Sequence, residues 1–317
     1  MAKGLLQRNM KWKDYPVIIA GVVLSLTVMG FAGRWFWLPA LVDHFRIHYL
    51  VLLASAVIPA YGWRQKKTLG LLLVLIAWQV GVMEPWTWKR ASVAPSNSAS
   101  YSLIWFNVHT GNKSKSEVLD YLKERDPDFI CLGEVNRFWL QQLTPLHERW
   151  PHQVLQPRDD NFGMAVYSKY PFKDRFKFDW DVPCIRFDVE HDINKTVSVF
   201  VAHPVPPVGN RFTGLRDDYL RQVSEAMSET RHPFFAVGDF NATPWHYPVK
   251  EMMKRHQLSY CPPTSMLSLP TWPIGLLPVG IPIDLFLAQP EISIHALNRG
   301  PDLGSDHRPL EVWFSQH

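Results

Sequence analysis

The pattern of apolar and polar positions divides the chain in two. Before residue 90, three stretches run almost without polar interruption. They are Pro16 to about Gly33 (PVIIAGVVLSLTVMGFAG), about His48 to Trp63 (HYLVLLASAVIPAYGW, with Trp35 to Val42 as an apolar extension) and about Thr68 to Met83 (TLGLLLVLIAWQVGVM). A bilayer core about 30 Å thick is crossed by roughly 20 helical residues, with about 17 near the lower limit. The first and third stretches reach that length with their flanks; the second is shorter. All three are apolar around most of their circumference, whereas a surface helix of a soluble domain keeps a polar face. No small-residue cleavage site follows the first, which separates it from a signal peptide. No charge lies inside the three stretches, so transport has no evident pathway.

After residue 100 the pattern changes to short apolar strands alternating with amphipathic helices. SLIWFNV reads as a strand, SKSEVLDYLKER as a helix and DFICLGEV as a second strand. A helix near 137–149, strands near 163–168, 184–190 and 196–202, a helix near 211–230 and a strand ending in HPFFAVGDFN follow. Further strands are expected over 281–288, 292–297 and 308–315, which together make an α/β domain. The expected organisation is a membrane anchor over 1–90, a flexible linker over 91–100 (ASVAPSNSAS) and a catalytic domain over 101–317.

Charge follows the same division. Residues 1–90 carry eleven Lys and Arg against three Asp and Glu, net +8, and residues 91–317 carry 22 against 26, net −4. The basic pI therefore belongs to the anchor, and the mildly acidic remainder gives nucleic-acid binding by counterion release no support. Lys3, Arg8, Lys11 and Lys13 precede the first stretch, and Arg64, Lys66 and Lys67 separate the second from the third. These basic segments are expected on the cytoplasmic side of the inner membrane, which leaves the catalytic domain on the other side. Lys89 and Arg90 weigh weakly against that orientation. Three scattered cysteines, Cys131, Cys184 and Cys261, make neither a disulfide framework nor a zinc site. GNKS at 111–114 lacks the glycine spacing of a phosphate-binding loop, and no Gly-x-Ser-x-Gly elbow is present.

The candidate chemistry sits at strand ends. Asn107 follows SLIWF, Glu134 follows DFICLG, His203 follows VSVFVA, Asp239 and Asn241 follow PFFAVG, Asp284 follows GIPI, and Asp306 with His307 precede the final strand. A rigid element can hold each in place. Carboxylates and carboxamides suit hard cations, and two histidines add proton-transfer groups. Phosphate-ester hydrolysis needs this combination: an aligned water, a cation on the phosphoryl oxygens and a protonated leaving group.

The motifs FNVHTGN, CLGEVN, VAHPVPP, VGDFNATPW, PIDLFLA and GSDHRP, in this order over about 101–315, resemble the endonuclease/exonuclease/phosphatase (DNase I-like) superfamily, and in particular its membrane-anchored YafD-like bacterial members. The resemblance implies a four-layer α/β sandwich, here preceded by three transmembrane helices, and a metal-dependent phosphoric ester hydrolase using Mg²⁺ or Mn²⁺. By the same resemblance, Glu134 is the principal metal ligand, with Asn107 ordering that site and Asp306 ligating metal or fixing local geometry. Asp239 orients or deprotonates the attacking water, Asn241 holds phosphate or water, and His307 stabilises the phosphoryl oxygen. Asp284 orients a catalytic histidine, and His203 is the proton donor to the leaving group. Where many relatives have His or Tyr after the Asp of this motif, Leu285 follows Asp284 here. The expected partners are the bilayer and a phosphodiester or phosphomonoester of a lipid or small metabolite. A nuclease and a non-catalytic tethered binding protein are the alternatives.

Overall fold

The computed structural model describes residues 11–92, 100–178, 181–192, 195–264, 270–275 and 279–316. Most of the linker expected over 91–100, from 93 to 99, lies outside the described residues, as do Lys3 and Arg8. The chain forms two compact units that divide between Pro85 and Trp86.

The first unit is helical: α1 (Tyr15–Gly30), α2 (Trp37–Val42), α3 (Arg46–Gly62) and α4 (Lys66–Met83). Pro16 lies in the first turn of α1, where its missing N–H leaves nothing unpaired. With short 3-10 turns these form three stretches long and apolar enough to cross a membrane, Trp12–Arg34, Trp37–Gly62 and Lys66–Thr87. The second is longer than the sequence pattern suggested, because the turn Asp43–Phe45 joins α2 to α3 into 26 helical residues. Val23, Leu53 and Leu72 pack with Ala20, Ala56 and Ala60, small residues that let backbones approach closely.

The expectation of stretches without charge is corrected here. The buried Arg46 donates to Gln79 Oε1 of α4 at 2.8 Å and to Asp43 Oδ1 at 2.6 Å. Gln79 in turn donates to Thr27 Oγ1 of α1 at 2.8 Å. One hydrogen-bonded chain thus crosses all three apolar stretches, and the guanidinium meets an opposite charge and an amide where a lone charge would be costly.

The second unit holds two six-stranded mixed sheets. Its strands are β1 (Tyr101–Asn107), β2 (Phe129–Gly133), β3 (His152–Gln156), β4 (Met164–Ser168), β5 (Phe172–Phe178), β6 (Cys184–Asp192), β7 (Lys195–Ala202), β8 (Phe234–Asp239), β9 (Ser259–Tyr260), β10 (Asp284–Ala288), β11 (Ile292–Arg299) and β12 (Leu310–Gln316). The orders are β11-β12-β1-β2-β4-β3 and β5-β6-β7-β8-β10-β9. Residues of period two, including Leu103, Trp105, Cys131, Val199, Phe235 and Phe286, meet in the core between the sheets. The intervening positions of the first sheet, Ile104, Phe106 and Ile130, pack outward on α5 (Lys115–Arg125) and α6 (Arg137–Leu143). Helices α7 (Asn210–Ser228) and α8 (Tyr247–His256) flank the second sheet, where Phe234 of β8 meets His256 edge-on. These are the four layers the sequence motifs implied.

Strands β3, β5 and β9 and helix α8 had no counterpart in the sequence pattern. Strand β5 (FKDRFKF) is exposed along most of its length and β3 (HQVLQ) is only half-buried, so neither has the apolar run that marks a central strand. Both are edge strands. Arg175 Nη1 donates to the Gln153 carbonyl at 3.2 Å and Lys177 Nζ to that of Leu155 at 2.9 Å, so basic side chains from β5 occupy the open carbonyls of β3.

The register fixes where the polar strand ends converge. Strand β1 runs parallel to β2 and β7 parallel to β8, while β10 returns antiparallel with Asp284 opposite Asp239. Gly238 makes the pairing of β7 with β8 fit: a Cβ there would stand 1.9 Å from the Ala202 carbonyl oxygen of β7. Gly238→Ala is therefore expected to destabilise the second unit by about 3 kcal/mol, measured as a drop in the denaturation midpoint of the full chain. An unshifted midpoint would show that β7 and β8 can part without loss.

Candidate active site

The site lies at one end of the two sheets and is built from both. Trp105, two residues before Asn107 on β1 and on the same face, donates its indole N–H to Asp284 Oδ1 of the opposite sheet at 2.8 Å. The other Asp284 oxygen receives His307 Nδ1 at 2.8 Å. Asp284 is thus held on both oxygens and fixes the ring of His307. The Thr271 hydroxyl accepts from the Asp284 N–H at 3.2 Å. Ser305 anchors the loop from behind, donating to the Asn107 carbonyl at 2.7 Å and accepting from the His307 N–H at 3.1 Å. Leu285 is fully buried, and Phe286 packs in the inter-sheet core on the Asp284 face. The absence of His or Tyr at 285 therefore leaves the dyad whole.

Asp239 sits opposite. Its Oδ1 accepts the Asn241 N–H at 2.9 Å, and its Oδ2 lies 3.6 Å from His307 Nε2 and 3.5 Å from His203 Nε2. Asn241 is held at φ 46, a left-handed conformation that Asn tolerates better than most residues. Its side chain donates to the Pro204 carbonyl at 2.9 Å, and the fully buried Arg216 of α7 reaches the Asn241 carbonyl at 3.3 Å. The turn after β8 is therefore fixed from two sides.

The third group joins these. The Asn107 amide donates to Glu134 Oε1 at 3.1 Å and to Asp239 Oδ2 at 3.2 Å, so one carboxamide lies between two carboxylates. Glu134 Oε2 accepts the Thr110 N–H at 3.0 Å. Glu134 itself has φ 61, unfavourable for a side chain with a Cβ, and its surroundings hold it there. Asp306 points elsewhere: it accepts from His109 Nδ1 at 3.0 Å and Trp272 Nε1 at 2.9 Å, and His109 in turn donates its backbone N–H to Asn107 Oδ1 at 3.1 Å.

Two donor groups could hold a hard cation. Asp239, Asp284 and His307 offer ligand atoms within 4.8 Å of one another. Both Asp284 oxygens are already engaged by Trp105 and His307, however, and a cation there would break the dyad. The Glu134 and Asp239 carboxylates, with the Asn107 amide N–H between them, form the alternative, and carboxylate oxygens are what Mg²⁺ or Mn²⁺ takes.

Burial and neighbouring charge divide the titrating groups. Burial pushes Asp239 up, with Asp284 adding and His307 opposing, to about 7. For His307 burial pulls down, but Asp284 and Asp239 outweigh it and push the ring up to about 10. Burial pulls His203 down to about 4, and its Nδ1 has no hydrogen-bond partner among the described residues.

Several polar residues turn out to be elsewhere. Arg186 forms a two-pronged pair with Asp188 at 3.0 and 2.6 Å, which removes it from phosphate binding, and Arg211 is exposed at the start of α7. Trp245 is buried, as packing requires. Cys131, Cys184 and Cys261 are all buried free thiols. The sequence reading missed Trp105, Thr110, Arg216, Trp272 and Ser305. Only Trp105 left a usable signal, its alternation with Asn107.

The dyad carries a pH signature. Because the folded-state pKa of His307 lies above the ordinary imidazole value of 6.5, the pair stabilises the fold fully below that value and less as pH rises through about 10. Asp284→Asn is expected to lower the His307 titration midpoint by more than one unit in NMR, and the stability gap to the parent is expected to narrow between pH 7 and 10. An unmoved His307 titration would remove Asp284 from its assigned role.

A family model described as the endonuclease/exonuclease/phosphatase family matches residues 104–307. No curated protein matches the chain. Among solved structures, an endonuclease/exonuclease/phosphatase family protein from Bacteroides thetaiotaomicron is similar with a TM-score of 0.57 and 17% identity, over 70% of this chain and 99% of that one. D. rerio TDP2 complexed with a single strand DNA product gives a TM-score of 0.56 and 16% identity over 69% and 100% of the two chains. The human Nocturnin catalytic domain with a bound sulfate anion gives 0.56 and 14% over 69% and 95%. At these identities the solved structures speak for the fold, and the family match, which spans more than half the chain, speaks for descent. The chain belongs to the endonuclease/exonuclease/phosphatase family.

Proposed function

We propose that the second unit is a metal-dependent phosphoesterase that cleaves a phosphodiester or phosphomonoester of a lipid or small metabolite. The observation that carries this reading is the pairing of a charged His307, locked by Asp284, with an Asp239 poised near neutrality 3.6 Å away. A carboxylate with a pKa near the working pH is suited to take a proton from an attacking water. A fixed imidazolium beside it is suited to the growing charge on a phosphoryl oxygen. Asn241, held by Pro204 and Arg216, supports the water or the phosphate. Glu134, ordered by the Asn107 amide, would hold the Mg²⁺ or Mn²⁺, which when bound neutralises phosphoryl charge.

His203, its Nε2 3.5 Å from Asp239 Oδ2, is the proton donor to the leaving group in this reading, and burial pulls its own pKa down.

The three apolar stretches and their basic flanks support a multi-pass anchor in the inner membrane, with the catalytic unit on the non-cytoplasmic side and kinship to the YafD-like members. A nuclease is the second reading. The DNA product in the D. rerio TDP2 structure favours it, and the net −4 of residues 91–317 opposes it. A non-catalytic binding protein is disfavoured, since Glu134, Asp239, Asn241, Asp284 and His307 are all retained.

The full chain in detergent is expected to hydrolyse bis(p-nitrophenyl) phosphate with Mg²⁺ or Mn²⁺ and to lose that activity in chelator. Asp239→Asn and His307→Gln are each expected to lower kcat by 10²- to 10⁴-fold, on the order expected for a missing acid or base, with an unaltered fold by circular dichroism. Undiminished turnover in both variants would reject the assignment. Faster cleavage of DNA than of phospholipids or nucleotides would favour the nuclease.

A further inference from the structure

Two helices of the catalytic unit, one in each outer layer, start at the site end, and both start alike. Helix α6 opens three residues past Glu134 with Arg137 and Phe138, and α7 opens seven residues past His203 with Asn210, Arg211 and Phe212. Both openings adjoin the site. The indole of Trp139, next in the chain to Phe138, donates to the His109 carbonyl at 3.1 Å. Arg216, one turn beyond Phe212, reaches the Asn241 carbonyl at 3.3 Å. An Arg-Phe pair therefore stands on either side of the mouth, and inside it the Phe162 ring lies 5.6 Å from that of His203.

Neither pair serves the fold. Among the described residues, three phenylalanines of this unit are exposed: Phe138 at 69%, Phe212 at 44% and Phe176. Phe176 stacks on Phe178 and lies under the Arg186 guanidinium at 4.6 Å, whereas Phe138 and Phe212 have no ring or cation against them among the described residues. Arg137 and Arg211 are exposed and have no carboxylate partner there either, while the nearby Arg158 and Arg216 are each paired. Arg211 also sits in the first turn of a 19-residue helix, where the helix dipole disfavours a cation. Val208, exposed two residues before α7, extends the apolar area.

Resting on the phosphoesterase reading, we propose that this rim docks on an anionic lipid surface and that the site takes a phosphate ester displayed by a lipid there. A ring beside an unpaired guanidinium matches the boundary between hydrocarbon and water: the ring enters the acyl region while the cation stays level with the phosphates. The same chain carries three stretches long and apolar enough to cross a membrane, so a lipid surface is the partner its own composition calls for. A single-stranded nucleic acid needs a basic track along its backbone. Here the two cations stand singly on opposite sides of the mouth, and Val208 offers no face for a base to stack on.

The test uses the full chain reconstituted in vesicles of phosphatidylcholine and phosphatidylglycerol that include a lipid with a nitroxide quencher in its acyl chain. Val208→Cys, on the rim, and Glu229→Cys, at the other end of α7, are labelled with a fluorophore in separate proteins. The native cysteines are buried and do not compete. Quenching is expected to be stronger at 208 than at 229, and to weaken at 208 when Arg137→Gln and Arg211→Gln are combined. Phe138→Ser with Phe212→Ser is expected to lower the ratio of vesicle phospholipid to bis(p-nitrophenyl) phosphate hydrolysis by about tenfold, the loss from two rings that no longer leave water. Equal quenching at the two positions, an unmoved ratio, or cleavage of the soluble ester alone would each overturn the proposal. Relief of the quenching at 208 by single-stranded DNA would overturn it in favour of nucleic acid. Quenching as expected with no cleavage of any ester would reject the phosphoesterase reading and keep the lipid contact.

Discussion

The site depends on one hydrogen bond that crosses the core, from the indole of Trp105 in one sheet to the carboxylate of Asp284 in the other. A buried carboxylate is unfavourable without donors on its oxygens. Trp105 satisfies one oxygen and His307 the other, so the need to solvate one anion fixes both the spacing of the sheets and the orientation of the histidine. That anion also raises the His307 pKa, and burial in the same dry space raises that of Asp239, which favours the charged histidine and the neutral acid. Packing and chemistry at this end of the unit are therefore one arrangement.

Much of this was legible in the sequence because strand ends are read by period. The apolar runs SLIWF, FICLG and FFAVG identify three central strands, and the polar residue that follows each, Asn107, Glu134 and Asp239, is the one the site uses. Other parts were illegible for physical reasons. The edge strands β3 and β5 bury one face at most and look like polar surface. Arg216 resembles any helix arginine until the fold buries it against the carbonyl of Asn241. Asp306 shares its motif with His307, but neighbouring residues diverge, and only the fold reveals that it faces Trp272 and His109. In the helical unit, Asp43 and Arg46 stand where the apolar run breaks, although helical turns continue through them.

The left-handed residues follow a related logic. His109, Glu134 and Asn241 each take a positive φ, and each stands just beyond the end of a strand in the site. A strand that must stop and turn its last side chain toward a common point has few backbone routes for doing so. The conformation is unfavourable for Glu134 and His109, and it persists because Thr110 and Asp306 hold the side chains that result.

The basic side chains over β3 have a consequence for the population of molecules as well as for each fold. Copies of a chain that meet by diffusion make contact first through whatever backbone groups their surfaces leave open. An open strand edge invites lateral pairing from one copy to the next. Arg175 and Lys177 occupy the carbonyls of Gln153 and Leu155 through which such pairing would begin. The edge is thereby removed from the contacts available between one copy and the next.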